Sequence, residues 1–575
     1  MLRETVVSVT RSEQPLSDVV ADVSIIDRAT IERSGAGGLA DVLARVPGVE
    51  FARNGGPGNT TSVFVRGAEN RFTAVYLDGV RIDSQSTGGV SWESIPLALI
   101  DHIEVLRGPA AAVYGSDALG GVVQIFTRKG EGGFAPTVGM GVGSRGTQKL
   151  DAGFSGSQGG FDYALGVAGE RSNGFNSRPV AGQNPDNDGY RSGAANANLG
   201  FQINPAHRLD ATLLASSMNA QYDSSTRFVD ERNLNKLQTL GLVWKAKWTD
   251  AYTTRVTLTD SSSRYETVPS PYLTLTHLNG VLFQNELRLG AHLLTATAEH
   301  RGDKLQNAPI DKDRFQNALA LGWGYQGGAH TLQLNARHDR DSEFGGKPTG
   351  SAAYALALTP QWRATASAGT AFRAPTLYQR FSEYGVASLQ PESSRNFEVG
   401  LRYAQGSTRF SAVAYRSKVT NLISFSAPGS CVSSFGCYAN TARAQYEGVT
   451  LAGQHRYGAV DVRASLDLQN PLDLDAGKQL ARRARQHAVL GADTRVANWL
   501  LGAEVQLTGQ RFSSPGETLS LPGYGLLNLT ASTRVAKDWT LLLRGDNLAN
   551  RGYQTVSGYA TPGRTLFLGL KWAPL

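Results

Sequence analysis

At 575 residues the chain exceeds one ordinary compact domain, since such domains rarely pass ~250–300 residues. Only 18% of residues are charged, 65 are glycine, and 56 Lys and Arg against 49 Asp and Glu leave a net charge of +7. The basic residues are scattered, so no run tracks a nucleic-acid backbone, and no stretch of ~18 apolar residues offers a membrane-spanning helix.

In chain order, the opening "MLRETVVSVT" lacks an apolar signal region. It carries instead a short β-prone segment: Glu4, Thr5, Val6, Val7, Ser8, Val9 and Thr10. Such a segment near a chain end suits addition as a strand to a partner's sheet edge; a frayed first strand is the plainer alternative. "IERSGAGGLADVLARVPGVEF" predicts a short amphipathic helix with Leu39, Val42, Leu43 and Val46 on one face, ended by Pro47-Gly48. "TSVFVRG", "FTAVYLDGVRI", "IDHIEVLRG" and "GGVVQIFTRKG" predict short strands, so residues 13–133 read as a mixed α/β domain.

Within it, "IEVLRGPAAAVYGSDALGGVVQIFTRKG" has the look of a phosphate-binding loop. A Walker loop needs a Lys that is missing here, and a dinucleotide fingerprint opens a helix, whereas Gly120-Gly121 opens a strand. These glycines therefore serve tight turns and close chain approach.

From residue 134 to 575 the pattern changes to strands with period-two alternation and no helix pattern. "RTLFLGLKW" sets Leu566, Leu568, Leu570 and Trp572 on one face and Thr565, Phe567, Gly569 and Lys571 on the other. About 440 residues at roughly 20 per strand and turn make about 22 strands. Short turns such as "GSQGG", "NPAH" and "VAKDW" contrast with long loops such as "ERSNGFNSRPVAGQNPDNDGYRSG". That asymmetry marks an outer-membrane β-barrel; a propeller would show a blade repeat of ~40–50 residues. Cys431 and Cys437 in "SCVSSFGCYAN" are spaced for a local disulfide, which implies an oxidising compartment. Two incidental thiols remain the alternative, and no nearby His completes a zinc site.

Several motifs carry a family resemblance. "SVFVRGAENRFTAVYLDGVRI", "IPLALIDHIEVLRGPAAAVYGSDALGGVVQIFTR" and "DNLANRGYQTVSGYATPGRTLFLGLKW" resemble the plug and last strands of TonB-dependent outer-membrane receptors. "NGGPGNTTSVFVRG", "DNDGY", "RHDRDSEFGG", "QLARRARQ" and "TVSGYATPGRT" resemble the cobalamin-receptor branch of that family. The resemblance implies a flexible N-terminus with a TonB box, Glu4 to Thr10, within residues 1–12. It implies a plug, 13–133, inside the lumen of a 22-stranded antiparallel barrel, 134–575. It further implies a monomer in the outer membrane of a Gram-negative bacterium, in contact with its lipids. That monomer would import cobalamin or a related corrinoid through TonB and the inner membrane's proton gradient. The same machine serving a ferric siderophore or haem is the alternative; a passive porin explains neither plug nor box.

On this reading the plug's apical loops meet the ligand: Pro57, Gly58, Asn59, Thr60, Thr61 and Ser62 in one, and Asp83, Ser84, Gln85, Val90 and Ser91 in the other. Neither loop has Lys or Arg. An anionic iron chelate favours cationic groups, whereas cobalamin presents neutral amides that hydroxyls, Asn and backbone can satisfy. In "NPDNDGY", Asp186 and Asp188 alternate beside a glycine as in calcium loops, although such a turn alone is ordinarily just polar. The cobalamin receptors' calcium-binding loop pair adds Tyr222, Asp223 and Asp230, while Asn176 stands where that branch carries Asp. Arg66, Arg107, Asp78 and Glu104 are expected in ion pairs, because an unpaired charge confined in a barrel is costly. No catalytic set emerges from the nine dispersed histidines, so neither enzyme activity nor an organic cofactor is expected.

Overall fold

A computed structural model of the chain describes residues 5–6, 11, 14–15, 19–34, 36–224, 229–427 and 429–574. Among these, 22 long antiparallel strands run from Ala135–Gly143 to Thr565–Trp572, each beside its sequence neighbours. The first strand pairs with the last, Val138 opposite Trp572 and Gly143 opposite Phe567, so the sheet closes on itself. Among the described residues no helix is long and apolar enough to cross a membrane.

Closure follows from the solvent: lipid offers no hydrogen-bond partner, so a spanning sheet must satisfy every backbone group and have no edge. The alternation sorts side chains accordingly. In Thr565–Trp572, Leu566 and Leu568 are 58% and 43% exposed on the outer surface, whereas Lys571 turns inward to pair with Glu32. Two-residue turns at 159–160, 205–206, 290–291, 406–407 and 497–498 gather at one end of the barrel. Loops 176–187, 374–391, 474–485, 509–523 and 547–564 gather at the other. Trp248, Trp362, Trp499, Trp539 and Trp572 lie at the short-turn end, as expected of an interfacial aromatic girdle.

The plug is built on a mixed five-stranded sheet, ordered Asp22–Ile26, Ile100–Arg107, Gly121–Thr127, Thr73–Leu77, Val80–Arg81, with the third and fourth parallel. Against it pack helices α1, Arg28–Ser34, and α2, Leu39–Leu43. The sequence predicted α2; α1, which precedes Gly37-Gly38, went unanticipated. The predicted apolar face is intact, with Leu39, Val42, Leu43 and Val46 buried against Val63, Ile103 and Ile125. Gly121 passes so close to the next strand that a Cβ would lie 2.3 Å from the Leu106 carbonyl oxygen, and Gly108 has φ +92°. No phosphate cradle forms, and a four-residue helix, Ala111–Tyr114, occupies part of the segment read as loop.

A further helix went unanticipated in the barrel region, Leu377–Phe381. Five residues are too few to show a helical period. The legible signal was local: Thr376 and Gln379 form a capping box, each side chain accepting the other's backbone N–H, at 3.0 and 2.9 Å.

Buried ion pairs fix the plug to the wall. Arg66 bridges Asp22 at 2.8 Å in the plug and Glu398 at 2.5 Å in the barrel, and Arg107 meets the same Asp22 at 2.8 Å. Arg45 reaches Glu504 at 2.7 Å. Arg81 pairs with Asp83, and with Asp117 and the wall's Asp303 at 3.0 Å each. One expectation needs correction. Asp78 makes no ion pair among the described residues; it accepts from the Thr127 N–H and hydroxyl at 2.8 and 2.7 Å, tying a turn to the sheet. Buried Glu104 forms its pair within the plug, with His102 at 3.8 Å. Replacing Arg66 with Met leaves Glu398 buried without its guanidinium, at a cost of about 3–5 kcal/mol. Hydrogen exchange should then accelerate through Asp22–Ile26 and Ile100–Arg107 while the barrel stays folded; unchanged exchange would contradict this assignment.

Candidate ligand-binding site

Two plug loops reach the long-loop end of the barrel. The first leaves the hairpin Val49–Arg53/Thr61–Val65. At its base the Arg53 N–H donates to Thr555 Oγ1 and the Thr555 hydroxyl donates back to the Arg53 carbonyl, both at 3.0 Å. Glycines let it lie flat on the wall: a Cβ on Gly55 would stand 2.5 Å from Ser177 Cβ, and one on Gly58 2.7 Å from Ala220 Cβ. Thr60 is exposed, Pro57 and Ser62 are half-buried, and Gly58, Asn59 and Thr61 are buried. The Thr61 hydroxyl accepts from Arg53 Nε at 3.0 Å and donates to the Asn59 carbonyl at 2.9 Å. Asn59 Oδ1 is buried with no hydrogen-bond partner among the described residues.

The second loop is clamped more firmly. Asp83 turns down to Arg81, two residues back on the same face, so it is a structural counter-ion rather than a residue of the open surface. Gln85 is buried as well, its N–H donating to Thr276 Oγ1 at 3.1 Å and its Oε1 accepting from Arg314 at 3.2 Å. The Tyr378 N–H donates to the Gln85 carbonyl at 3.2 Å, which seats the helix Leu377–Phe381 on this loop. Ser84 Oγ lies 3.5 Å from Thr276 Oγ1; Val90 is buried and Ser91 half-buried.

Around this loop the barrel contributes aromatic side chains that sequence reasoning missed. Tyr378 and Tyr438 have ring centroids 6.4 Å apart, Phe425 and Tyr438 5.5 Å, and Tyr384 and Phe425 5.7 Å. Tyr272 OH lies 3.4 Å from Ser86 Oγ. These residues come from separate strand ends and loops, so no spacing announces them. Cys431 and Cys437 are joined by a disulfide, with Cα atoms 5.7 Å apart, directly before Tyr438.

Beside the first loop, Asp186, Asp188 and Asp223 each present a carboxylate oxygen within 4.8 Å of the others. Among the described residues, Asp186 Oδ1 and Asp223 Oδ2 are buried without hydrogen-bond partners, while Asp188 Oδ2 accepts the Ser177 N–H at 2.9 Å. Burial, with Asp188 and Asp186 alongside, pushes the Asp223 carboxyl up to about 7. Three converging carboxylates with free oxygens suit a hard cation such as calcium. Asp230 stands apart, accepting from Gln221 at 3.0 Å and pairing with Arg232 at 2.9 Å. Tyr222 ends its strand opposite Glu231. Glu231, which the sequence reading did not single out, is buried and accepts the Ser224 N–H at 2.6 Å. Ser177 thus touches both the carboxylate cluster and the plug loop at Gly55.

Of the N-terminal segment, Glu4, Val7, Ser8, Val9 and Thr10 lie outside the described residues. Thr5–Val6 pairs antiparallel with Gln14–Pro15, and Val6 is fully buried with Val19, Tyr76 and Tyr114.

Residues 136–548 match the family model described as TonB dependent receptor-like, beta-barrel, and residues 15–122 match the TonB-dependent Receptor Plug Domain. The chain belongs to the TonB-dependent receptors. It therefore resides in the outer membrane of a Gram-negative bacterium and works with TonB. It is 30% identical to the vitamin B12 transporter BtuB of Vibrio cholerae, across 98% of this chain and 94% of that one. It is 28% identical to the vitamin B12 transporter BtuB of Photobacterium profundum, with the same coverage. Among solved structures, a mutant of the ferric enterobactin receptor PfeA of Pseudomonas aeruginosa superposes with a TM-score of 0.86 at 18% identity, covering 99% and 100% of the two chains. The siderophore receptor PirA of Acinetobacter baumannii gives 0.85 at 16%, covering 96% and 98%. At these identities the structural likeness shows the fold alone.

Proposed function

We propose that the chain imports cobalamin or a related corrinoid, with calcium organising its outer loops. The observation that carries this reading is the near full-length similarity to transporters named for vitamin B12. The apical loops support it, since they offer hydroxyls, backbone and the unpartnered Asn59 Oδ1 rather than cationic groups. A neutral, amide-rimmed ligand matches such a surface, and the tyrosines beside it supply an apolar face with polar tips.

Asp186, Asp188 and Asp223 would hold the calcium, whose charge offsets the repulsion between them. Ordered outer loops preorganise the site, and Ser177, set between Asp188 and Gly55, carries that order to the plug apex. Glu4 to Thr10 would be the segment that TonB engages by strand addition. Release of Val6 from its buried seat costs only about 1.5–3 kcal/mol, within reach of a ligand-linked shift. The inner membrane's proton gradient would then drive transport.

Titration of the purified receptor tests the substrate and the cation together. Cyanocobalamin is expected to bind in calcium, and about tenfold more weakly in chelator, a difference of ~1.4 kcal/mol; ferric enterobactin is expected not to bind. Asp186→Asn with Asp188→Asn should weaken binding in calcium and add nothing in chelator. Binding of the ferric chelate alone would overturn the substrate assignment, and identical affinity in calcium and chelator would remove the cation.

Coupling is tested at Val7, where proline deletes a backbone donor and biases Val6 away from its present conformation. Val7→Pro cells should bind ligand at the surface yet fail to accumulate it. Import at the wild-type rate would place the coupling segment elsewhere.

A further inference from the structure

One buried charge in the seat of the plug has no part in the ligand site or in the ion pairs that hold plug to wall. Asp467 stands on the lumen face of the wall strand Val460–Asp473 and is 3% exposed. Neither of its carboxylate oxygens has a hydrogen-bond partner among the described residues. Its register neighbours on the two adjoining strands are Thr450 and His487. Both are buried, and Thr450 Oγ1 and His487 Nδ1 are likewise without partners among the described residues. His487 Nδ1 lies 3.7 Å from Asp467 Oδ2, beyond hydrogen-bond reach.

The surroundings offer Asp467 no guanidinium of its own. Across the seam stands another acid, Glu50 of the plug hairpin Val49–Arg53/Thr61–Val65. Glu50 accepts from Gln469 Nε2, two residues along the strand from Asp467 on the same face, and from the Ala484 N–H at 3.1 Å. Arg511 lies 3.5 Å from Glu50 and serves that acid. Burial pushes the Glu50 carboxyl up against the pull of Arg511 and His487, and the charge of Asp467 pushes in the same direction as burial. Arg66 and Arg107, which with Thr450 surround Gly48, are committed to Asp22 and Glu398.

Other wall acids behave differently. Glu398, Glu504 and Asp303 each meet a plug arginine, at 2.5, 2.7 and 3.0 Å. Asp467 meets none among the described residues. A buried carboxylate with unmet oxygens raises the energy of the seated state. It does not raise that of an open state, in which water reaches it.

We infer that Asp467 is a positioning residue for plug movement: its unmet charge, facing the like-charged Glu50, lowers the cost of lifting the hairpin Val49–Arg53/Thr61–Val65 off the wall and so sets how readily the plug gives way. The paired acids hold the plug in register, because removing one partner strands a buried charge. The unpaired acid acts in the opposite sense, since it gains hydration when the seam opens. Such a locally unfavourable group persists only where the surrounding structure over-determines its place, and the ion pairs around it do so.

Asp467→Asn keeps the shape of the side chain and removes its charge. Hydrogen exchange of the full-length receptor in detergent at neutral pH should show about tenfold greater protection across residues 49–65 in this variant, with Gly121–Thr127 unchanged. Asp303→Asn is the contrasting case, because it strips a partner from Arg81 and Arg314; exchange through Val80–Arg81 should accelerate. In cells, Asp467→Asn should leave cyanocobalamin affinity unchanged while the maximal uptake rate falls several-fold, a split that damage to the fold or to the ligand site would not produce. The uptake arm rests on the corrinoid reading proposed above and the exchange arm does not, so a receptor that takes up no cyanocobalamin in either form still leaves the exchange result to decide. Unchanged or faster exchange across residues 49–65 in Asp467→Asn would overturn the inference, and so would a tightened hairpin with undiminished uptake.

Discussion

A backbone in lipid has no partner but itself. That constraint forces the 22 strands into a closed ring, Ala135–Gly143 on Thr565–Trp572, and everything else in this protein follows from the ring. Alternation gives one face of each strand to hydrocarbon and the other to the interior. An interior wide enough for 22 strands cannot be filled by wall side chains alone. A folded plug fills it, and the wall faces that plug with many polar residues beside apolar patches at Leu214, Leu237, Val419, Leu422 and Tyr446.

Much of the contact between plug and wall is correspondingly electrostatic, alongside these apolar patches. Glu398, Glu504, Asp303 and Glu299 of the barrel meet Arg66, Arg45, Arg81 and Arg11 of the N-terminal region. Glu299 is held in addition by Arg301 and Arg337 of the wall. Such a contact differs in kind from an apolar core. Taking away one member leaves a buried charge uncompensated, yet separating both members into water rehydrates them and recovers much of their desolvation. A plug seated by ion pairs is therefore firm against substitution but movable when water enters. An apolar seat of the same area would lose its burial energy with nothing in return. This suits a transporter whose plug must hold the lumen shut and still make way for a ligand.

The barrel was legible because its signal repeats. Period-two alternation and the contrast between two-residue turns and long loops recur along the chain, so the errors of single strands average out. The plug's apolar helix face was legible residue by residue, whereas α1, with Ile31 as its one buried residue, shows too little apolar period to announce itself. At the site, legibility fell with sequence distance. Asp186 and Asp188 announced themselves by spacing, and Asp223 came from a loop resemblance, whereas Glu231 and the Tyr378–Tyr438 group meet only in three dimensions. Asp83 and Gln85 had the composition of an open loop, yet Arg81 and Arg314 bind them into the seat.

The account's central claim is that this ring, plug and outer face together make a TonB-driven corrinoid importer. Uptake of radiolabelled cyanocobalamin by a strain lacking its own corrinoid receptor tests it most directly, with this chain expressed in the presence and absence of TonB. The account predicts accumulation well above surface-bound label only when TonB is present. No accumulation despite a folded receptor in the outer membrane, or equal accumulation without TonB, would contradict it.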